Sequence, residues 1–496
     1  MLSAASPARV RHVSGPQAPV AGDYVLYWMQ IYRRLAHNHA LDYALRWAVG
    51  LKKPLVVYEG LKLGYPWASR RLHRFILEGM QTNAGQAREI GLNYWPFVET
   101  PEQSGRGLLR RLAARACLVV TDDFPCFIIP DQTAALARQT PTPVVAIDSN
   151  GVVPLSLLGP PATAAAHLRP RIHRAFAAAW SERAVAEPVF PRPVRRTVEP
   201  PFPLWDPGQD LTTFIDGLPI DPGVRPVATT PGGSRAARRR LAEFVSRKLP
   251  GYAEGRSHPL PPEQGHASGL SPYLHFGHIS IEEVVATVLA SVGWSPQQLD
   301  ERCVGRREGF WSANADVNAF LDEAIVWRDL GFHWHWHRRS DTTSLERALP
   351  AWAWTTLRKH AADPRDYCYR LEQWEAAETH DPLWNAAQIE LVHAGTIHNY
   401  LRMLWGKKVI EWSATPEEAY RILEHLNNKY ALDGRNPNSY TGILWCFGLF
   451  DRPWAPERKV FGTVRYMSSE NTARKFRLEA YLAYVRSLAD RPAATG

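Results

Sequence analysis

From Tyr24 onward the chain alternates short, continuously apolar runs with longer stretches whose apolar positions recur every three or four residues. The runs are YVLYWM (24–29), PLVVYEG (54–60), LNYWPFVE (92–99), CLVVTD (117–122) and PVVAIDSN (143–150); between them lie HALDYALRWAVGL (39–51), ASRRLHRFILEGMQ (68–81) and LLRRLAARA (108–116). Runs without polar alternation read as strands buried on both faces, and strands separated by helices pair in parallel. The pattern predicts an α/β, Rossmann-like N-terminal domain over residues 23–155, with helices wrapped around a parallel sheet. No GxGxxG follows the first strand, so the phosphate turn of a dehydrogenase is missing.

Proline interrupts this rhythm. Residues 156–230 include PRPVRRTVEPPFPLWDPG, and each proline removes a backbone donor and fixes φ, so an interdomain linker without long regular elements is predicted. Next, GGSRAARRRLAEFVSRKL offers Ser234 as the N-cap of a basic helix, and apolar positions then keep helical spacing to the end. Residues 231–496 should form an all-α C-terminal domain. Residues 1–22 lack an apolar core of signal-peptide length and are expected to be a flexible arm.

The length of 496 residues agrees with two domains, and no run of about 18 uncharged apolar residues predicts a membrane span. A net charge of +9 favours an acidic partner, nucleic acid first. Arg235, Arg238, Arg239 and Arg240 form one basic cluster, and Arg458, Lys459, Arg465, Arg474, Lys475 and Arg477 another; each suits phosphate contacts or a solvated helix face. The 5 cysteines form no CxxC pair, which argues for a reducing compartment without a zinc knuckle or disulfide frame.

Candidate chemistry concentrates between Thr379 and Trp445. There Trp384, Trp405, Trp412 and Trp445 lie among Arg402, Asn427, Asp433 and Arg435, a mixture suited to a large planar polar cofactor and to electron supply. Trp405 and Trp412 share a face of one continuous helix, about 10 Å apart in rise, whereas Trp384 approaches Trp405 only if the helix breaks, as at Gly395. An amide such as Asn427 can donate or accept beside a ring nitrogen, and Arg402 with Asp433 suits a charge pair beneath a flavin; a plain helix end with a DG turn is the simpler alternative. Glu323 and Trp327, one helical turn apart, place a carboxyl beside an aromatic plate of a size to meet an extruded base, or else form an ordinary amphipathic face. SGLSPYLHFGHIS (268–280) reads as a phosphate-receiving turn or a helix capped with Pro272 in its first turn. In FHWHWHRR, His333, His335 and His337 alternate within a helical pattern, which points them apart and favours a structural role over metal binding.

Taken together, these segments resemble class II cyclobutane pyrimidine dimer (CPD) photolyases of the photolyase/cryptochrome family. DYVLYWMQ, YAEGR, LSPYLHFGHIS, THDPLWNAAQIELVHAG, RMLWGKKVIEW, LNNKYALDGRNPN and GTVRYMS carry the resemblance in order over nearly the whole chain. It implies an α/β antenna domain and an all-α catalytic domain holding FAD. By similarity Tyr252, Ser268, Leu270 and Ser271 lie on the phosphate and ribityl side of FAD, with Arg402, Asn427, Asp433 and Arg435 completing the cofactor set. Glu323, Trp327, Trp445 and Asn427 are the implied catalytic residues. Arg256 and Met403 would line the lesion pocket, and Trp384, Trp405 and Trp412 would photoreduce FAD; no metal is implied. The implied reaction is deoxyribodipyrimidine photolysis, in which photoexcited FADH− passes an electron to a flipped-out CPD in DNA and recovers it after the ring splits.

Some segments depart from the family pattern. GFHWHWHR stands where DNFCYY-like residues are common, and WCFGLFDRPW stands in place of WSICGVHD. WMQIYRRLAHNHAL lacks the common RxxDN-like segment, which leaves open whether an antenna chromophore binds and whether it is an 8-hydroxy-5-deazaflavin or a folate. The alternative function is a class II-like cryptochrome, a flavin-based blue-light receptor without repair activity. A monomer acting on UV-damaged DNA is expected, cytoplasmic, at the nucleoid of a bacterium or in the nucleus of a eukaryote.

Overall fold

The computed structural model describes residues 6–338 and 344–490; residues 1–5 of the expected arm, Arg339 of the histidine-rich segment and the last six residues of the chain lie outside these limits. Each strand expected from the apolar runs is present: β2 Tyr24–Met29, β3 Leu55–Leu61, β4 Asn93–Val98, β5 Ala116–Asp122 and β6 Val144–Ile147. An additional strand, β1 Val10–Ser14, lies in the segment expected to be a mobile arm and pairs antiparallel with β6. The sheet order is β1-β6-β5-β2-β3-β4, with the β2 to β6 pairings parallel. The arm is held because Arg9 is buried, donating to the carbonyls of Asp148, Gly151 and Val152 and pairing with Glu282.

Alternate strand residues build two layers. Val25, Tyr27, Met29, Val57 and Val120 face α1 (His39–Leu51), whose Leu41, Ala44, Leu45 and Ala48 meet them. Tyr24, Leu26, Val56 and Val119 face Leu108 and Leu112 of α3 (Leu108–Arg115) on the other side. Asn38 caps α1 by accepting from the N–H groups of Ala40 and Leu41. α2 (Arg70–Ile90) runs on past the predicted stretch and ends at Gly91, whose φ of +69° suits a C-terminal glycine. At the carboxyl end of β5, the Asp122 carboxylate accepts from the N–H groups of Gln30, Ile31 and Tyr32 at 2.9, 2.9 and 3.1 Å, fixing the loop after β2. That loop borders a cavity of about 790 Å³ outside the carboxyl ends of the strands, where open α/β sheets place ligands; Trp28, Gln30, Tyr58, Phe97, Phe124 and Arg435 are among its walls.

Two local expectations are corrected. Within the proline-rich stretch, α5 (Ala165–Ser181) runs for 17 residues with Pro170 inside it. Interior proline costs about 3 kcal/mol, and burial of Leu168, Ile172, Phe176, Ala179 and Trp180 along one face offsets it. Ser234 is the first helical residue of Ser234–Glu243 and is not its cap. Gly233 takes the cap position at φ +91°, where a Cβ would lie 2.5 Å from Thr82 Oγ1, and its N–H donates to His278 Nδ1 at 2.9 Å.

The remainder is helical. Arg71 of α2 reaches across to the carbonyls of Arg225, Val392 and Tyr430, joining the sheet layer to the helices that carry the site. Gly395 ends the Pro382–Ala394 helix at φ +68°, and Asn399–Glu411, Pro416–Tyr430 and Pro437–Cys446 follow. No described helix is long and apolar enough to cross a membrane.

Glu390 is buried between Pro382–Ala394 and Glu479–Ala489, accepting from Tyr481 Oη at 2.8 Å and from the His398 N–H at 3.2 Å. Burial raises its carboxyl from 4.5 to about 7. The folded state thus keeps a proton that the unfolded chain releases, so this contribution to stability is complete below about pH 4 and is lost as pH rises through about 7. Glu390→Gln keeps both acceptor contacts without the ionisation. Its stability should match the parent near pH 4 and exceed it at pH 8 by up to roughly 3 kcal/mol, read as a higher melting temperature. An identical pH dependence in both proteins would contradict the assignment.

Candidate active site

The break at Gly395 folds the Pro382–Ala394 and Asn399–Glu411 helices against each other and brings Trp384 onto Trp405. The two rings lie 6.5 Å apart at 6°, and Trp384 Nε1 donates to the Trp405 carbonyl. Trp412, the C-cap of Asn399–Glu411, does not follow Trp405 directly in this stack. Trp374 stands between the outer members, 4.8 Å from Trp384 and 6.1 Å from Trp412, and is fully buried. Beyond Trp412 come Tyr369 at 6.0 Å and His380 at 4.6 Å, with Tyr369 Oη 2.5 Å from His380 Nδ1. His380 stacks on Tyr367, which is 47% exposed and brings the aromatic series to the surface.

At the inner end, Trp405 Nε1 donates to Gln388 Oε1 at 3.0 Å. A small cavity beside Trp405 is also lined by Arg402, Asn427, Ser439 and Cys446. Arg402 donates to Asn427 Oδ1 at 3.3 Å and lies 3.6 Å from Asp433 Oδ1. Asp433 Oδ1 and Gln388 Nε2 are buried and find no hydrogen-bond partner among the described residues. Buried polar atoms are normally satisfied. Gln388, beside Trp405, thus has a spare donor, and Asp433, opposite only the Arg402 guanidinium, a spare acceptor, which suit the polar edge of a flavin-like heterocycle.

The second group gathers on the neighbouring elements. The helix Ala315–Leu321 passes into a π-helical segment, Asp322–Trp327, before Arg328–Trp336 continues. Glu323 and Trp327 therefore sit on a widened turn rather than on a regular α-helical face, a distortion common at functional sites. Trp327 Nε1 donates to Asp322 Oδ2 at 3.1 Å, and Asp322 is held by Arg169 through contacts of 2.7 and 3.0 Å. Thus oriented, Trp327 stacks with Trp445 at 5.2 Å and 19°. Glu323 pairs with Arg256 at 2.8 Å, both half-buried. Burial raises the Glu323 carboxyl above its usual range, while the Arg256 guanidinium acts in the opposite direction. Trp445 lies on Pro437–Cys446, whose Ser439, Gly442 and Cys446 line the cavity at Trp405, so one helix carries residues of both groups.

Other expected residues are more dispersed. Tyr252 is buried against Phe244 and Phe320 and lies under Arg256. Ser268 Oγ accepts from the Leu270 N–H, Leu270 is buried, and Ser271 opens a short helix with Pro272 in its first turn. Met403 packs against the helical core. Arg435 turns inward, its guanidinium on the carbonyls of Asn428, Ala431 and Leu432, so its charge serves the end of Pro416–Tyr430. The basic cluster near the start of the helical region is largely paired: Arg235 with Glu89, Arg238 with Glu283 and Arg240 with Glu243. Near the other cluster, Arg452 and Arg465 lie over the exposed ring of Trp454 at 4.9 and 5.0 Å.

Trp374, Gln388 and Asp322 were not legible as members of these groups. Trp374 lies before Thr379 in LEQWEAA, with no spacing that joins it to Trp384, and Asp322 acts across a π-turn that ordinary helical periodicity does not anticipate.

An α/β sheet domain followed by a helical domain is the fold of solved photolyase and cryptochrome structures. The fold matches that of a Synechocystis cryptochrome with a TM-score of 0.66 and 16% identity, covering 95% of this chain and 90% of that one. No family model matches the sequence. The deoxyribodipyrimidine photo-lyase of Methanothermobacter thermautotrophicus is 35% identical over 97% of this chain and 99% of its own length. The rice protein of that name is 34% identical over 98% of this chain and 91% of its own. The chain belongs to the photolyase/cryptochrome family.

Proposed function

We propose that this protein is a class II CPD photolyase that binds FAD and repairs UV-damaged DNA in light. The juxtaposition of Glu323, Arg256, Trp327 and Trp445 with the Arg402, Asn427 and Asp433 group carries this reading. When bound, the flavin supplies the photoexcited electron donor. Arg402 and Asp433 would hold the heterocycle's edge through opposite charges, and Asn427 would donate to or accept from a ring nitrogen as its protonation changes. The stacked Trp327 and Trp445 plates receive the extruded dimer and exclude water. Glu323, kept protonated to higher pH by burial, donates a hydrogen bond to a dimer carbonyl as negative charge arrives there. Trp454 and its flanking arginines suit contact with the DNA backbone. The cavity at the sheet's carboxyl edge suits an antenna chromophore, in an α/β domain whose sheet begins with β1 and which residues 156–230 join to the catalytic domain, 231–496.

Illuminating the reduced protein with dimer-containing DNA should remove the dimers. Bound, reduced flavin without dimer loss would overturn repair in favour of light sensing. Trp374→Phe should slow light-driven flavin reduction by external thiol, since a ring that is harder to oxidise then occupies the gap between Trp384 and Trp412. Chemically reduced Trp374→Phe protein should repair at the parent rate. Unchanged photoreduction would remove Trp374 from the electron path.

A further inference from the structure

The histidine-rich segment takes no part in the reaction above, yet it closes on a compact triangle of donor atoms. His333 Nε2 and His337 Nε2 each lie 3.0 Å from the Gly159 carbonyl oxygen and 3.1 Å from each other. The residues are one helical turn apart at the end of Arg328–Trp336, and their rings stand nearly perpendicular, at 88°. Gly159 ends the Leu155–Leu158 turn at φ +70°, a conformation that suits glycine. Arg171 Nη1 takes the carbonyls on either side, those of Leu158 and Pro160, which leaves the Gly159 oxygen to the two imidazoles.

Hydrogen bonding does not satisfy this triangle. A neutral imidazole carries one N–H, so each Nε2 either donates or accepts. If both donate to Gly159, two N–H groups oppose each other across 3.1 Å. If one accepts from the other, its lone pair faces the carbonyl oxygen at 3.0 Å. Placing the His333 proton on Nδ1 does not help, because that atom is buried with no partner among the described residues. A cation at the centre turns every contact into attraction. Metal–donor lengths of about 2.0–2.1 Å bring ligand atoms to roughly 2.9–3.4 Å from one another between octahedral and tetrahedral angles, which matches the spacing here.

His337 is exposed and leaves the site open to solvent. Two imidazoles and a carbonyl select transition metals over magnesium or calcium, which prefer all-oxygen shells. No group of three or more His, Cys, Asp or Glu side chains gathers for a metal among the described residues, and the Gly159 carbonyl supplies the third donor here.

We propose that His333, His337 and the Gly159 carbonyl form a surface site for a divalent zinc-, nickel- or copper-type ion, with water completing the shell. The ion ties the far end of Arg328–Trp336, the continuation of the turn bearing Glu323 and Trp327, to the loop following the sheet. Zinc alone, titrated into metal-stripped full-length protein, should bind at this site and raise the melting temperature. His337→Ala, an exposed change with unchanged circular dichroism, should lose that increment and that equivalent of zinc. Copper(II) added instead should show electron paramagnetic hyperfine coupling to two imidazole nitrogens in the parent, and that two-nitrogen pattern should vanish in His337→Ala. Equal zinc uptake by parent and variant, or a copper signal without the imidazole pair, overturns the site.

Discussion

Glu323→Ala lowers light-driven dimer removal by roughly 10- to 100-fold, the worth of a hydrogen bond to a developing charge. Flavin content should not change, because Glu323 faces Arg256 and the Trp327 side of the site rather than Asp433. Truncation also leaves Arg256, half-buried, without its 2.8 Å partner, so binding of damaged DNA and repair at saturation should both be measured. The conservative variant separates charge from hydrogen bonding. Glu323→Gln remains a neutral donor at every pH, whereas the raised carboxyl of the parent donates only below its own ionisation. Parent activity should therefore fall as pH rises through that ionisation, and the glutamine variant should not share the fall. Identical pH profiles would show that Glu323 does not act as a donor.

Trp405→Phe should abolish light-driven flavin reduction while sparing repair by chemically reduced protein. Trp405 lines the cavity beside Arg402 and Asn427 and stacks on Trp384, so an electron moving inward along the aromatic series crosses it last. Phenylalanine keeps most of the buried volume but is far harder to oxidise. Loss of the 3.0 Å bond to Gln388 costs about 1 kcal/mol, too little to unfold the domain. Absorbance during blue illumination with a thiol reports the result, and photoreduction at the parent rate would exclude Trp405 from the path.

Much of the architecture is legible in the sequence because its causes are local. Continuous apolar runs from Tyr24 to Ile147 locate β2 to β6, and Gly395 marks the break that permits the Trp384–Trp405 stack. What escapes has nonlocal causes. β1 is a strand because Arg9 finds carbonyls more than a hundred residues away, and α5 survives Pro170 because its far face is buried. α4 (Ile129–Gln139), between the last two predicted strands, offers only Ile129, Thr133 and Leu136 to the interior, too sparse a stripe to stand out. In the candidate site, Glu323 and Trp327 are visible as a spaced pair, but the π-turn and the Arg169–Asp322 support beneath Trp327 are not. Arg435, beside Asp433 in sequence, reads as a cofactor ligand, and in space its guanidinium lies on the carbonyls of Asn428 and Ala431, a contact that sequence spacing does not foretell.

Trp374, Trp384, Trp405 and Trp412 are all buried constituents of the helical core. The proposed conductor and the core filler are therefore the same atoms, and such positions accept few replacements. Deleting a ring opens a cavity worth about 3–5 kcal/mol, so only another large aromatic residue leaves the protein folded. Variation has room at the outer end, where Tyr367 and the Tyr369–His380 pair meet solvent. Engineers seeking a different electron source could reshape that rim, matching it to a dye, an electrode or a partner protein, without disturbing the packing beneath.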